Sequence, residues 1–310
     1  MEATPSASSE VSASLENPFR TEPKEIFGYL PLWDYACCET LDYKNLTHIS
    51  LAFVNPDEKG NMVCEVPEAD LKAIVKKAHG QGVKVLVSLG GAGGSDNYPK
   101  LISEPEPRKA FVANLASFVS DYALDGIDLD IEGEAPPLFW SSYELWVTAL
   151  RSLCDEKGLL LTTAVGNWYA GNITPKTYGM FDRIAVMAYD NDVDTMHATY
   201  QYAKDCIGFF SVLRKIPKEK LLLGVPFYGR GYDANGKLDW NSYIAYKDLL
   251  KLNPAAGAGD SSNGYGYNGT ETLLKKCDLA RDCAGMMVWE LSQDASGEAS
   301  LLKLMRDNLP

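Results

Sequence analysis

Histidine is scarce in this chain: there are three in 310 residues, and His48, His79 and His197 stand far apart. The seven cysteines contain no CxxC pair. Neither a zinc site nor a disulfide framework follows from such spacing. An odd count leaves at least one thiol unpaired; a Cys277–Cys283 bridge is the pairing to check, and most of the seven are expected to be buried thiols. Excess positive charge is missing as well. The formal net charge is −13, which argues against nucleic acid or an anionic membrane as the main partner. A neutral polysaccharide is indifferent to that sign. No apolar run approaches a membrane span, so a soluble chain is expected. Large apolar residues are also rare before Leu15 and Phe19, in a stretch dominated by Ser, Glu, Ala, Thr and Pro. Residues 1–24 therefore read as a flexible leader or linker. This numbering holds no signal peptide. A leader of this composition fits a chain whose export signal has been removed, so a secreted, periplasmic or cell-surface location is expected; a cytoplasmic protein with a ragged N-terminus is the alternative.

What is present is concentrated in one segment. Residues 125–132 read Asp-Gly-Ile-Asp-Leu-Asp-Ile-Glu. Ile127, Leu129 and Ile131 alternate with Asp128, Asp130 and Glu132, the period of a β-strand whose successive side chains point to opposite faces. The three carboxylates then share one face, each roughly 6.6 Å from the next. Such a row repels itself and weakens an ordinary strand. Like charges this close push one pKa upward, so that a carboxylic acid stays protonated near neutral pH. A solvated sheet face is the bland alternative for alternating acids. Large flanking apolar residues and the crowding at Gly126 favour a catalytic strand instead.

Short apolar runs rich in β-formers recur at 26–32, 47–54, 83–90, 125–132, 159–166, 182–189, 221–227 and 285–291. Continuous apolar character suits parallel strands covered on both faces. Helical spacing fills several gaps: Leu71, Ile74, Val75 and Ala78; Phe111, Leu115, Phe118 and Tyr122; Trp146, Ala149, Leu150 and Leu153; and a final helix around Leu301, Leu302 and Met305. Eight strand–helix units predict an α/β fold, a (β/α)8 TIM barrel, over residues 25–310. A doubly wound open sheet is the runner-up, but no Gly-rich dinucleotide fingerprint follows the first strand. The first connection, 33–46, is too short for a full helix with its loops. The last, 228–284, contains a predicted helix at 243–252 and a Gly-, Asn- and Tyr-rich stretch at 253–269.

Barrel active sites collect at the C-terminal ends of strands. Those ends carry Tyr29 and Trp33, Phe53, Ser88-Leu89-Gly90-Gly91, the three acids, Asn167-Trp168, Met187-Ala188-Tyr189-Asp190, Phe227-Tyr228-Gly229-Arg230 and Trp289. Acids, tyrosines and indoles suit a sugar: rings stack on aromatics and hydroxyls bond to carboxylates.

The D-x-x-D-x-D-x-E run ending at Glu132 resembles the signature of glycoside hydrolase family 18, the chitinases and related endo-N-acetylglucosaminidases. Ser88-Leu89-Gly90-Gly91 is similar to that family's third-strand motif, Met187-Ala188-Tyr189-Asp190 to its sixth, Gly224-Val225-Pro226-Phe227-Tyr228-Gly229-Arg230 to its seventh, and Val288-Trp289 to its eighth. The resemblance runs from about residue 26 to 294. It implies a retaining, substrate-assisted hydrolysis without a cofactor or metal, an exception to the two-carboxylate scheme. Glu132 is then the general acid and base, Asp130 orients the substrate acetamido group, Asp128 shares a proton or hydrogen bond with Asp130, and Tyr189 donates to the acetamido oxygen. Trp289 forms an apolar floor under the sugar. Tyr29 and Ser88 are candidate partners of Asp128. Asp190, Tyr228 and Arg230 are candidates for bonding sugar hydroxyls. Trp168 is open between core packing and a sugar platform; Trp140, Trp146 and Trp240 match no motif and default to packing.

Two departures bear on substrate. Many chitinases carry an extra α+β domain between the seventh and eighth strands, and 228–284 is too short for it, so a single domain with an open cleft is expected. A tryptophan often follows the third-strand Gly-Gly, and in this chain the run is Gly91-Ala92-Gly93-Gly94. The expected partner is an oligo- or polysaccharide containing N-acetylglucosamine, met by a monomer: chitin oligomers first, the chitobiose core of N-glycans second. A non-catalytic sugar-binding protein is the alternative of another class, and a metal-dependent hydrolase using the acid row is a third.

Overall fold

The computed structural model describes residues 23–132, 137–192 and 196–309. Of the leader expected at 1–24, residues 1–22 lie outside the described residues. Lys24 is docked: its ammonium donates to the Cys283 carbonyl at 2.7 Å, and its own carbonyl accepts from Arg306 at 3.1 Å.

Eight parallel strands close into a barrel in chain order, the first pairing with both the second and the eighth. They are Glu25–Pro31, His48–Ala52, Lys84–Gly90, Gly126–Asp130, Leu160–Val165, Arg183–Val186, Leu221–Pro226 and Gly285–Trp289. The apolar runs form strands because they are covered on both faces, by helices outside and by neighbouring strands within. Helix Glu68–Gly80 shows how the sequence directs this. It buries Leu71, Ile74, Val75 and Ala78 along one stripe, with Glu68 and Asp70 at its start and Lys77 and His79 at its end, matching the helix dipole. Helices Pro105–Asp121 and Pro137–Lys157 meet through stacked Phe111 and Trp146, ring centroids 5.6 Å apart. Trp146 is thus core.

Three differences from the sequence expectation matter. The fourth strand stops at Asp130, so Glu132 stands just beyond it rather than inside it. The sixth strand stops at Val186, leaving Met187–Asp190 in the connection above the barrel. The interval after the seventh strand is more structured than a loop with one helix. Tyr228–Tyr232, Leu238–Ala245, Ser261–Ser262 and Tyr265–Gly266 form a four-stranded antiparallel sheet. The helix placed at 243–252 begins only at Tyr246, because Tyr243 and Ile244 pair with Arg230 and Gly229. All seven cysteines are free, so Cys277 and Cys283 form no bridge.

Candidate active site

Barrel register assembles the acid row. Asp128 on the fourth strand lies level with Ser88 on the third and Thr162 on the fifth. Its Oδ2 accepts hydroxyl bonds from Tyr29 at 2.8 Å and Ser88 at 2.7 Å, and its Oδ1 accepts from Thr162 at 2.5 Å. Burial raises the Asp128 pKa, and these three donors pull against that rise. A carboxylate held by hydroxyl donors is a stable place for negative charge.

Asp130 is different. Its carboxyl is buried, and among the described residues Oδ1 finds no hydrogen-bond partner. Burial, then the charges of Glu132 and Asp128, drive its pKa well above the usual carboxylate range. An unpaired buried polar atom costs roughly 1–3 kcal/mol, so this oxygen is a candidate acceptor for a hydrogen bond from a bound group. Glu132 is pushed up to about 7, first by burial and then by the charge of Asp190. Asp130 and Glu132 therefore titrate as a coupled pair, beside an Asp128 whose hydroxyl donors favour its charged form.

The close approach of the third and fourth strands at this end depends on glycine. Gly91 N–H donates to the Asp130 carbonyl at 2.7 Å. Gly90 sits at φ 107°, and a Cβ there would run into the same carbonyl oxygen; one at Gly91 would enter the Phe53 ring. Phe53 in turn stacks on Trp289 at 5.7 Å.

Tyr189 and Asp190 reach the site from the connection after the sixth strand. The buried Tyr189 hydroxyl faces the sulfur of Met287 at 3.9 Å, a weak acceptor, which leaves its proton for a better one. Burial raises its pKa well above the ordinary tyrosine value. Asp190 is gripped by Arg230 through two parallel bonds, Nε to Oδ1 at 2.9 Å and Nη2 to Oδ2 at 2.8 Å. Burial alone would raise the Asp190 pKa, but the His197 and Arg230 partners hold it well below the ordinary range. Asp190 and Arg230, expected to bond sugar hydroxyls, thus bond each other first. Tyr228 lies under the guanidinium, 5.1 Å from its ring centroid, and Trp240 lies at 5.3 Å.

Aromatic surface surrounds the acids. Trp289 closes the barrel mouth against Tyr29 and Phe53, with Trp33 at 6.3 Å. A cavity of about 510 Å³ opens beside it, lined by Trp33, Tyr228, Arg230, Tyr243, Trp289 and Gln293 among others. That volume suits a sugar ring and its substituents. Trp33 and Trp168 are 64% and 58% exposed, which places Trp168 outside the core. Among the described residues, no group of three or more His, Cys, Asp or Glu is arranged to hold a metal ion.

Sequence inspection missed Thr162, His197 and Tyr243. Thr162 left a signal, a Thr-Thr pair inside an apolar run, readable once the strands are set side by side. His197 left none.

The family model for glycosyl hydrolases family 18 matches residues 25–294. Among solved structures, the GH18 chitinase ChiB from the chitin utilization locus of Flavobacterium johnsoniae is 30% identical with a TM-score of 0.84, covering 93% of this chain and 94% of that one. A chitinase from Bacteroides thetaiotaomicron is 28% identical with a TM-score of 0.83, covering 93% and 97%. A chitinase-like effector of Moniliophthora roreri is 29% identical over 71% of this chain, and the match spans 62% of the effector's length. With the closed barrel and the acid row at its mouth, these matches identify the chain as a member of glycosyl hydrolase family 18.

Proposed function

We propose that this protein hydrolyses β-1,4 bonds next to N-acetylglucosamine, in chitin or its oligomers, with retention of configuration. The observation that carries this reading is the buried, unpartnered Oδ1 of Asp130 beside a Glu132 whose pKa is pushed up to about 7. Glu132 in its protonated form gives its proton to the glycosidic oxygen as that bond breaks. The acetamido carbonyl oxygen of the same sugar attacks the anomeric carbon, forming an oxazolinium ring. Asp130 accepts the acetamido N–H and balances the positive charge that develops there. Tyr189 steadies the attacking oxygen. Water then adds at the anomeric carbon and returns its proton to Glu132. Chitinases are the named relatives and structural neighbours, which supports chitin as the substrate class.

The test uses one purified sample against chitotetraose and against a high-mannose glycopeptide. Cleavage of the tetramer is expected. Cleavage of the glycopeptide alone would instead assign the chitobiose core of N-glycans, a reading that the absence of a tryptophan after Gly90-Gly91 favours. Glu132→Gln should cut turnover about 10³-fold while chitotetraose binding survives. Binding without turnover in the unsubstituted protein would make it a sugar-binding member of the family, a class in keeping with a relative described as chitinase-like.

A further inference from the structure

The cavity beside Trp289 continues past the barrel mouth. It shares Asp34, Lys247 and Ser292 with a second cavity of about 670 Å³, which reaches Leu41 in the first connection and Leu302 in the final helix, Leu301–Asn308. A chain of several sugars can follow this groove. At its inner end the exposed Trp33 stands 6.3 Å from Trp289, and two neighbouring indoles offer successive rings a face to stack on. The Tyr228 hydroxyl is buried there without a hydrogen-bond partner among the described residues, which makes it a candidate partner for a bound polar group.

The charges along the groove are not equally engaged. Arg230 is forked onto Asp190. Glu290 accepts from the Ser292 backbone N–H at 2.7 Å and from its hydroxyl at 2.8 Å. Asp248 pairs with Lys251 at 2.7 Å, Asp42 with Lys44 at 3.1 Å, and Glu298 with Lys303 at 3.4 Å. Lys247, which shares both cavities with Asp34, directs its bond to the Ser292 carbonyl at 2.6 Å. Asp34 is the exception. It adjoins Trp33, is exposed, lines both cavities, and makes no hydrogen bond or ion pair among the described residues. An unpaired carboxylate beside a sugar platform favours a cation. A chitin chain can supply one: a unit that has lost its acetyl group carries a free amine, protonated at mildly acidic pH. The formal net charge of −13 draws such a chain toward the protein.

We propose that the protein takes partially deacetylated chitin, and that Asp34 pairs with the free amine of a glucosamine unit lying beyond the cleaved one. This rests on the hydrolase reading above. The two parts of the site then make opposite demands. At Asp130 the acetyl group is required, because its oxygen is the nucleophile in the proposed mechanism. At Asp34 the acetyl group removes the charge that the carboxylate would meet. Asp34 thus sets which chain is preferred, and the acid row sets where it is cut. Because Asp34 is exposed, the contact is open to screening: the Debye length shrinks from about 30 Å at about 0.01 M salt to about 3 Å at about 1 M.

The test compares two oligomers of equal length, one fully acetylated and one partially deacetylated, at mildly acidic pH. The ratio of their kcat/KM values, deacetylated over acetylated, should fall about fivefold in Asp34→Asn and recover in Asp34→Glu. In the unsubstituted protein the same ratio should fall toward the Asp34→Asn value as salt rises from about 0.01 M to about 1 M. A loosened fold would weaken both substrates alike and leave the ratio in place. A ratio that neither Asp34→Asn nor salt moves overturns the proposal. Binding separates this outcome from the hydrolase reading. In a Glu132→Gln background, calorimetry should show the deacetylated oligomer held about fivefold more weakly once Asp34→Asn is added. Equal binding, or no binding of that oligomer at all, contradicts the role of Asp34. Asp34-dependent binding in a protein that turns over neither oligomer would uphold that role and count against the hydrolase reading alone.

Discussion

Two aspartates one strand-step apart have opposite surroundings, and that contrast organises the chemistry. Asp128 accepts from three hydroxyls, whereas Asp130 keeps a buried oxygen without a partner among the described residues. Negative charge is thus favoured on the first, and on the proposed mechanism the second is left to take a substrate donor. Glu132 bears the cost. Its pKa rises from an ordinary 4.5 to about 7, so the folded protein holds a proton that the unfolded chain has released. Stability should therefore fall as pH rises from about 4.5 to about 7 and level off above that, by a total on the order of 3 kcal/mol from this group. Glu132→Gln removes the dependence, so its thermal midpoint at pH 8 should exceed that of the unsubstituted protein by several degrees. Turnover of the unsubstituted protein should decline as pH rises through about 7 and the acid loses its proton. Calorimetry and initial rates across pH 4–9 check the pair together; equal midpoints at pH 8 would show that Glu132 ionises without penalty.

Strand ends divide the barrel into a working rim and a structural floor. On the floor, Arg183 of the sixth strand forks onto Glu25 of the first, Nε to Oε2 at 2.5 Å and Nη2 to Oε1 at 2.8 Å. Both side chains are largely buried. Breaking one partner strands a poorly solvated charge, so Arg183→Met should lose about 2–4 kcal/mol by denaturant unfolding while kcat stays within twofold. A matching loss of kcat would mean that floor and rim are coupled. The eight strands were legible in the sequence because parallel strands buried on both faces must be continuous apolar runs. Asp128 and Asp130 were legible because both fall on the fourth strand two residues apart, whereas Glu132 lies just past the strand's end. Residues 238–245 were not, since Tyr243 and Ile244 carry no local sign of pairing with Arg230 and Gly229, and only that distant contact makes them strand. His197 was invisible for a related reason: it meets Asp190 across a connection seven residues long and Tyr232 from further along the chain, and neither contact leaves a local spacing.

At the scale of the molecule, one barrel carries both chemistry and stability, and the small antiparallel sheet after the seventh strand brings Tyr228, Arg230 and Tyr243 to the side of the cleft. All seven thiols are free and five are buried. Burial pushes the thiols up, Cys37 and Cys154 to about 12, which makes them poor nucleophiles. Excess reductant should leave thermal midpoint and activity unchanged; a midpoint falling by more than a degree or two would reveal a bridge in the purified protein.

The central claim is that the open oxygen of Asp130 is reserved for the substrate's own acetamido group, so that the sugar supplies the nucleophile. Proton NMR of chitotetraose cleavage, recorded before the products mutarotate, reads this directly. The β-anomer must form first at the new reducing end. An initial α-anomer would mean that water attacks in a single inverting step, and that Asp130 does not hold an acetamido nucleophile.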